Sequence, residues 1–146
     1  MREDGFTLVE LMVVLLVMGL LAGAVVLTAG QVGGGASEAA TRYAARLGAA
    51  RDEAVVTGSP VSAWISATGY GFEKYRGGRW QPLTDKPFEG ANWDKGIRVT
   101  AGETSGRARV RFDALGLPDA PVTVRLTNDD RVANVAVAAN GDIRVD

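Results

Sequence analysis

Cysteine and histidine are both absent from the 146 residues. Without cysteine there is no thiolate nucleophile, no zinc–thiolate site and no disulfide. Without histidine the commonest general base and metal ligand is missing too. Both absences weigh against an enzyme without excluding a carboxylate-based one. Charge of one sign is also scarce, with 16 basic against 17 acidic side chains. Residues 1–30 hold Arg2 against Glu3, Asp4 and Glu10, so the remainder carries 15 basic and 14 acidic groups, a net of +1. A near-neutral body has no long-range field to draw in nucleic acid. The length fits one compact domain.

What the sequence does have is an uninterrupted apolar run, LMVVLLVMGLLAGAVVL, over residues 11–27. With residues 28–30 it approaches the roughly 20 residues that span a bilayer as a helix. A secretory signal peptide would be shorter, would follow a basic start and would end at a small-x-small site. Here the head is MREDG, and Ala22 and Ala24 lie inside the run. Neither that reading nor a plain unprocessed anchor accounts for Glu10 at its mouth. An ionised carboxylate costs about 2.5–3.5 kcal/mol at the bilayer centre and is by default functional. No basic residue follows until Arg42, so the adjacent helix sequence offers no basic partner, and a free amino group created by cleavage on a neighbouring copy would answer the need.

The string Gly5-Phe6-Thr7-Leu8-Val9-Glu10, followed by the apolar helix, resembles the signal of type IV pilins and type II secretion pseudopilins. The resemblance implies that a prepilin peptidase cuts between Gly5 and Phe6 and that Phe6 becomes an N-methylated amino terminus. It also implies that Glu10 pairs with the amino terminus of a neighbouring subunit during assembly. The leader MREDG is less basic than is usual in that family.

The chain then changes character. Gly33-Gly34-Gly35 opposes helix, at about 0.8–1.0 kcal/mol per glycine relative to alanine. These glycines, with Gly19 and Gly23, are expected to let the stem stretch or kink. Ser37 is expected to cap a new helix, over about residues 36–57. Ala36, Ala40, Tyr43, Leu47, Ala50 and Ala54 make its apolar stripe, and Gly58-Ser59-Pro60 ends it. From Val61 onward short strands are expected over residues 61–67, 71–75, 79–83, 97–100, 107–113, 121–127, 131–138 and 142–146. Gly77-Gly78, Asn128-Asp129-Asp130 and Asn140-Gly141 supply turn chemistry. The expected fold is α+β: a long N-terminal helix, hydrophobic then amphipathic, packed on a C-terminal antiparallel β-domain of seven or eight strands in two sheets. The expected division is a leader over 1–5, a membrane and filament-core helix over 6–30, and a periplasmic head over 31–146 with its β-domain at 61–146.

Residues 44–61, Tyr70-Gly71-Phe72, Trp80-Gln81-Pro82-Leu83, the run from Phe112 to Pro118 and Asn140-Gly141-Asp142-Ile143 together resemble the H-type minor pseudopilin of type II secretion. That implies a non-enzymatic subunit near the tip of a periplasmic pseudopilus, supporting export of folded proteins, with no cofactor and no metal. Implied partners are the I, J and K minor pseudopilins, the G-type major pseudopilin, the prepilin peptidase and the inner-membrane assembly platform. The implied location is the bacterial inner membrane, single-pass, with the head in the periplasm.

The alternative is a minor pilin of a type IV pilus, concerned with pilus assembly or DNA uptake. Arg107, Arg109 and Arg111 would share one strand face, as a DNA site would need, yet a solvated face that discourages edge pairing is the better account of them. Asp85, Asp94, Asp113 and Asp119 sit in turns, where short acids serve the backbone. Calcium at Asn128-Asp129-Asp130 or Asp142 lacks the spacing of a dedicated loop. Trp64, Trp80 and Trp93 are candidates for a partner surface. Strand register decides whether Trp64 turns to the core instead, and Trp80 and Trp93 are left open between core edge and interface.

Overall fold

The computed structural model describes residues 8–29, 35–101 and 107–146, with the side chains of the first segment described as far as Gly19. The chain divides into two units, Met1–Gly34 and Gly35–Asp146. The first holds helix α1, Leu8–Ala29, which runs unbroken through Gly19 and Gly23. Its 22 residues amount to about 33 Å of helix.

The second unit opens on helix α2, Ala36–Thr57. Its stripe is the expected one with Ala39 added: Ala36, Ala39, Ala40, Tyr43, Leu47, Ala50 and Ala54 are all buried. Ser37 is not the cap. The N-cap is Gly35, in an extended conformation and without a side-chain cap bond. Ser37 is already helical and its carbonyl accepts a bond from the Thr41 hydroxyl at 2.9 Å. At the other end Gly58 takes the left-handed conformation, φ +58°, and its N–H bonds back to Ala54 and Val55, as glycine does after a helix.

Two antiparallel sheets follow. The first contains β1 (Val61–Ile65), β2 (Gly69–Arg76), β3 (Arg79–Leu83), β4 (Ala91–Asn92) and, after the fourth-strand segment, β6 (Ala108–Phe112), in the order β3-β2-β1-β6 with β4 also pairing β2. The second contains β5 (Arg98–Ala101), β7 (Val122–Asn128), β8 (Arg131–Val137) and β9 (Ile143–Val145), in the order β5-β7-β8-β9. Nine strands stand among the described residues, one more than the sequence pattern offers. The addition is β4, whose two residues are too short to show alternation. Four of the expected strands are trimmed by a residue or two, those at 97–100 and 121–127 shift by one residue, 79–83 is as expected, and β2 extends to Gly69 and Arg76.

Alternation decides which face each strand buries. Val61, Ala63 and Ile65 of β1, Phe72 of β2, Val110 and Phe112 of β6, and Val124, Leu126, Val135 and Val137 of the second sheet all face one core, with Tyr43 and Leu47 of α2. One charge is buried with them. Lys74 is 2 % exposed, and its Nζ donates to Glu53 Oε1 of α2 at 2.7 Å. The pair ties the last turns of α2 to β2. A buried charge is tolerated only when it is paired in this way.

Candidate functional site

Gly5 and Phe6 lie outside the described residues. Glu10 stands in the first turn of α1, where a carboxylate complements the positive end of the helix dipole. Around it the helix has no polar face. Leu8, Val9, Leu11, Met12, Val13, Val14, Leu15, Leu16, Val17 and Met18 are all exposed, between 43 % and 75 %. Removing a side chain of this kind from water is worth about 1.5–3 kcal/mol. A helix apolar on every side belongs in lipid or among other helices. Among the described residues no helix is long and apolar enough to cross a membrane, since the described side chains of α1 stop at Gly19. The helical backbone itself continues to Ala29.

On the head, Arg109 and Arg111 share the outer face of β6, Arg107 stands just before the strand, and each has a neighbour. Arg109 Nη1 stands 3.3 Å from Glu73 Oε2 of β2, close enough for a charge pair without hydrogen-bond alignment. Arg111 lies 3.9 Å from Asp119. The Arg107 guanidinium sits over the Trp64 ring, 5.8 Å from its centroid. β6 is also a sheet edge, and part of it is covered by its own chain through a bridge between Phe112 and Pro118. The arginines are therefore a paired, solvated face rather than an open basic stripe.

The tryptophans separate. Trp64 is opposite Gly71 across β1 and β2, on the outer face, and a Cβ at Gly71 would lie 2.6 Å from its ring. The absent side chain is what lets the indole lie flat. Trp93 is a core-edge residue: its indole N–H donates to the Ser66 carbonyl at 2.9 Å, and its ring packs on Tyr43 and Tyr70 at centroid distances of 5.6 and 4.8 Å. Trp80 pairs with Tyr75 across β2 and β3 and lines a surface groove. Tyr43 is fully buried and its hydroxyl has no hydrogen-bond partner among the described residues. Burial, and secondarily the neighbouring Tyr70, pushes its pKa well above the usual phenol value.

Two of the acids, Asp113 and Asp119, serve the backbone. Asp113 Oδ1 accepts from the N–H groups of Leu115 and Leu117, both at 2.9 Å. Asp119 Oδ1 accepts from Arg111 and Ala120 at 3.1 Å. Asp94 pairs with Arg42 of α2. No group of three or more potential metal-binding side chains occurs among the described residues.

Residues 39–141 match the family described as type II transport protein GspH. The chain belongs to that family. Residues 1–26 separately match the prokaryotic N-terminal methylation motif. The fold agrees with solved GspH-like heads. The minor pseudopilin EpsH from the type 2 secretion system of Vibrio cholerae superposes with a TM-score of 0.65 at 19% identity, over 75% of this chain and 94% of that one. Escherichia coli GspH gives 0.59 at 19% identity, over 73% and 84%. The type IV minor pilin FimU of Pseudomonas aeruginosa gives 0.60 at 16% identity, over 76% and 87%. No protein of curated function matches the chain by sequence. As a GspH-family member the chain is a minor pseudopilin of the type II secretion class, a structural subunit that assembles with other pseudopilins. Pseudopilins of this family are anchored by the N-terminal helix and carry the head in the periplasm.

Proposed function

We propose that this chain is a tip-proximal subunit of a periplasmic pseudopilus that helps move folded proteins across the outer membrane. It waits in the inner membrane as a single-pass protein, α1 in the bilayer. A prepilin peptidase removes residues 1–5 by cutting between Gly5 and Phe6, and Phe6 is then methylated on its new amino group. On assembly α1 leaves lipid for the filament core. There the Glu10 carboxylate meets the amino terminus of a neighbour. The partners are I-, J- and K-type minor pseudopilins and the G-type major pseudopilin, working with the inner-membrane platform. No step calls for a cofactor.

The observation that carries this reading is the coincidence, in one chain, of two separate matches: the methylation motif over residues 1–26 and the GspH head over residues 39–141. The likeness of the head to FimU keeps a minor pilin of a type IV pilus, in assembly or DNA uptake, as the second reading. The paired arginines of β6 give DNA little to hold. Deleting the gene and restoring it on a plasmid separates the two. The first reading expects folded cargo to accumulate in the periplasm and pili to persist. Intact secretion with lost pili or lost transformation would favour the second.

A further inference from the structure

One groove on the head has a chemistry that the pseudopilin role leaves unused. It holds about 290 Å³ beside the 113–118 turn. Pro60, Trp80 and Pro118 bring rings to it, and Arg111, Asp113 and Asp119 bring charge. Leu117 and the buried Phe112 complete the lining. Rings and charged groups meet in one space, so the groove is amphipathic.

Its parts are fixed by the head itself. Asp113 Oδ1 accepts from the N–H groups of Leu115 and Leu117, and Asp119 Oδ1 from those of Arg111 and Ala120. The backbone closes the same loop. The Asp113 N–H donates to the Leu117 carbonyl and the Asp119 N–H to that of Arg111, both at 2.9 Å. Tyr75 braces the Trp80 ring edge-on, with centroids 5.3 Å apart. Groups held in this way lose little freedom when a ligand arrives. Among the described residues, every hydrogen bond of the two aspartate side chains falls on Oδ1, which leaves each Oδ2 uncommitted. Arg111 stands 3.9 Å from Asp119 Oδ2, too far for a hydrogen bond. The Trp80 indole N–H also makes none among the described residues. The groove therefore offers both acceptors and donors beside its rings.

That mixture narrows the ligand. A small anion would meet two carboxylates, and a cation would meet the Arg111 guanidinium. No group of three or more potential metal-binding side chains occurs among the described residues. An apolar side chain would desolvate three charged groups without pairing any of them. A neutral molecule with hydroxyls around its edge and C–H groups on its faces suits both sets. Its hydroxyls donate to the carboxylates and accept from Arg111 and the indole N–H, while a C–H face packs on the indole. The volume lies at the small end of the roughly 300–1,000 Å³ of small-molecule sites, room for one or two sugar rings. We infer that this groove binds a saccharide. The inference goes beyond the pseudopilin reading and needs no part of it.

The test uses the full-length chain in an amine-oxide detergent, which carries no sugar headgroup. Four-ring oligomers of glucose and of N-acetylglucosamine are titrated in, followed by tryptophan emission and by saturation transfer to the sugar protons. At least one oligomer is expected to saturate the site. Trp80→Ala and Asp119→Asn are each expected to weaken binding tenfold or more, with the fold checked by circular dichroism. Asn at position 119 keeps the oxygen that receives the Arg111 and Ala120 N–H groups, so it separates lost binding from lost fold. Trp64→Phe, outside the groove, is expected to bind like the wild type. Pelleting with purified peptidoglycan is the second arm. Co-sedimentation that the same two substitutions abolish identifies the cell-wall glycan as the source, and binding of the soluble oligomers alone identifies a free saccharide. Three results would overturn the inference: no saturation by either oligomer and no co-sedimentation, full binding in either folded groove variant, or an equal loss in Trp64→Phe.

Discussion

Helices α1 and α2 have the same length, 22 residues each, and opposite dependences. α2 buries a stripe of seven residues against sheets of its own chain, and its charged side chains find partners there, Glu53 with Lys74 and Arg42 with Asp94. α1 is apolar on every described side and its side chains from Leu8 to Met18 are exposed. One helix is completed by its own fold. The other is completed by whatever surrounds it, first lipid and then other subunits on the proposed reading. The difference separates what a substitution changes: in α2 the stability of the head and, on the proposed reading, in α1 processing and assembly.

Glu10→Ala makes the sharpest cut between the two. It is expected to leave cleavage and the head untouched while assembly, followed by cross-linking of the chain into pseudopilus fractions, is largely lost. Normal assembly of this variant would remove the pairing role from α1. Next comes a matched pair of truncations. Leu47→Ala, in the α2 stripe, is expected to destabilise the head by about 2–5 kcal/mol in urea unfolding. Leu15→Ala, in α1, is expected to leave the same midpoint unchanged. Equal effects would mean that α1 also contributes to the core of the head. Smaller again, Gly71→Ala pushes a methyl into the Trp64 ring and is expected to cost about 1–3 kcal/mol, with a shift in tryptophan emission that marks the displaced indole.

The smallest effect concerns pH. Burial raises the Tyr43 pKa in the folded head, whereas in the unfolded chain it lies near 10. Its stabilising contribution is therefore complete below about pH 10 and is lost as pH climbs through the raised folded value. Tyr70, raised by its own burial, acts in the same direction. Tyr43→Phe is expected to be neutral or slightly stabilising at pH 7, since the buried hydroxyl bonds to nothing among the described residues. It is also expected to flatten the loss of stability in alkaline melts. An unchanged alkaline slope would show that other groups control it.

Much of the architecture is legible from local pattern. The α2 stripe has helical spacing, Gly58 with Pro60 ends it, and strands such as β7 and β8 alternate clearly. Ser37 misleads because a good capping residue two positions inside a helix looks the same on paper as one at its start; Gly35 takes the cap through its backbone alone. β4 escapes because two residues cannot display a period. The tryptophans are legible only once register is known: Trp64 lies flat because Gly71 is its cross-strand partner, and Trp93 is held by a bond to Ser66, 27 residues away. The grouping of Val55 and Val56 with Leu115 is invisible for the same reason. Val55, Val56 and Leu115 come together only when the 113–118 turn folds onto α2.

The amino terminus of the chain taken from membranes tests the account most directly. Intact-mass and fragment analysis is predicted to find a chain beginning at Phe6, with one methyl group on its amino nitrogen and residues 1–5 gone. Replacing Gly5 with leucine is predicted to leave those residues in place. A wild-type chain that still begins at Met1, or one cut after Ala22 or Ala24, would contradict the assignment of α1 as a processed filament stem.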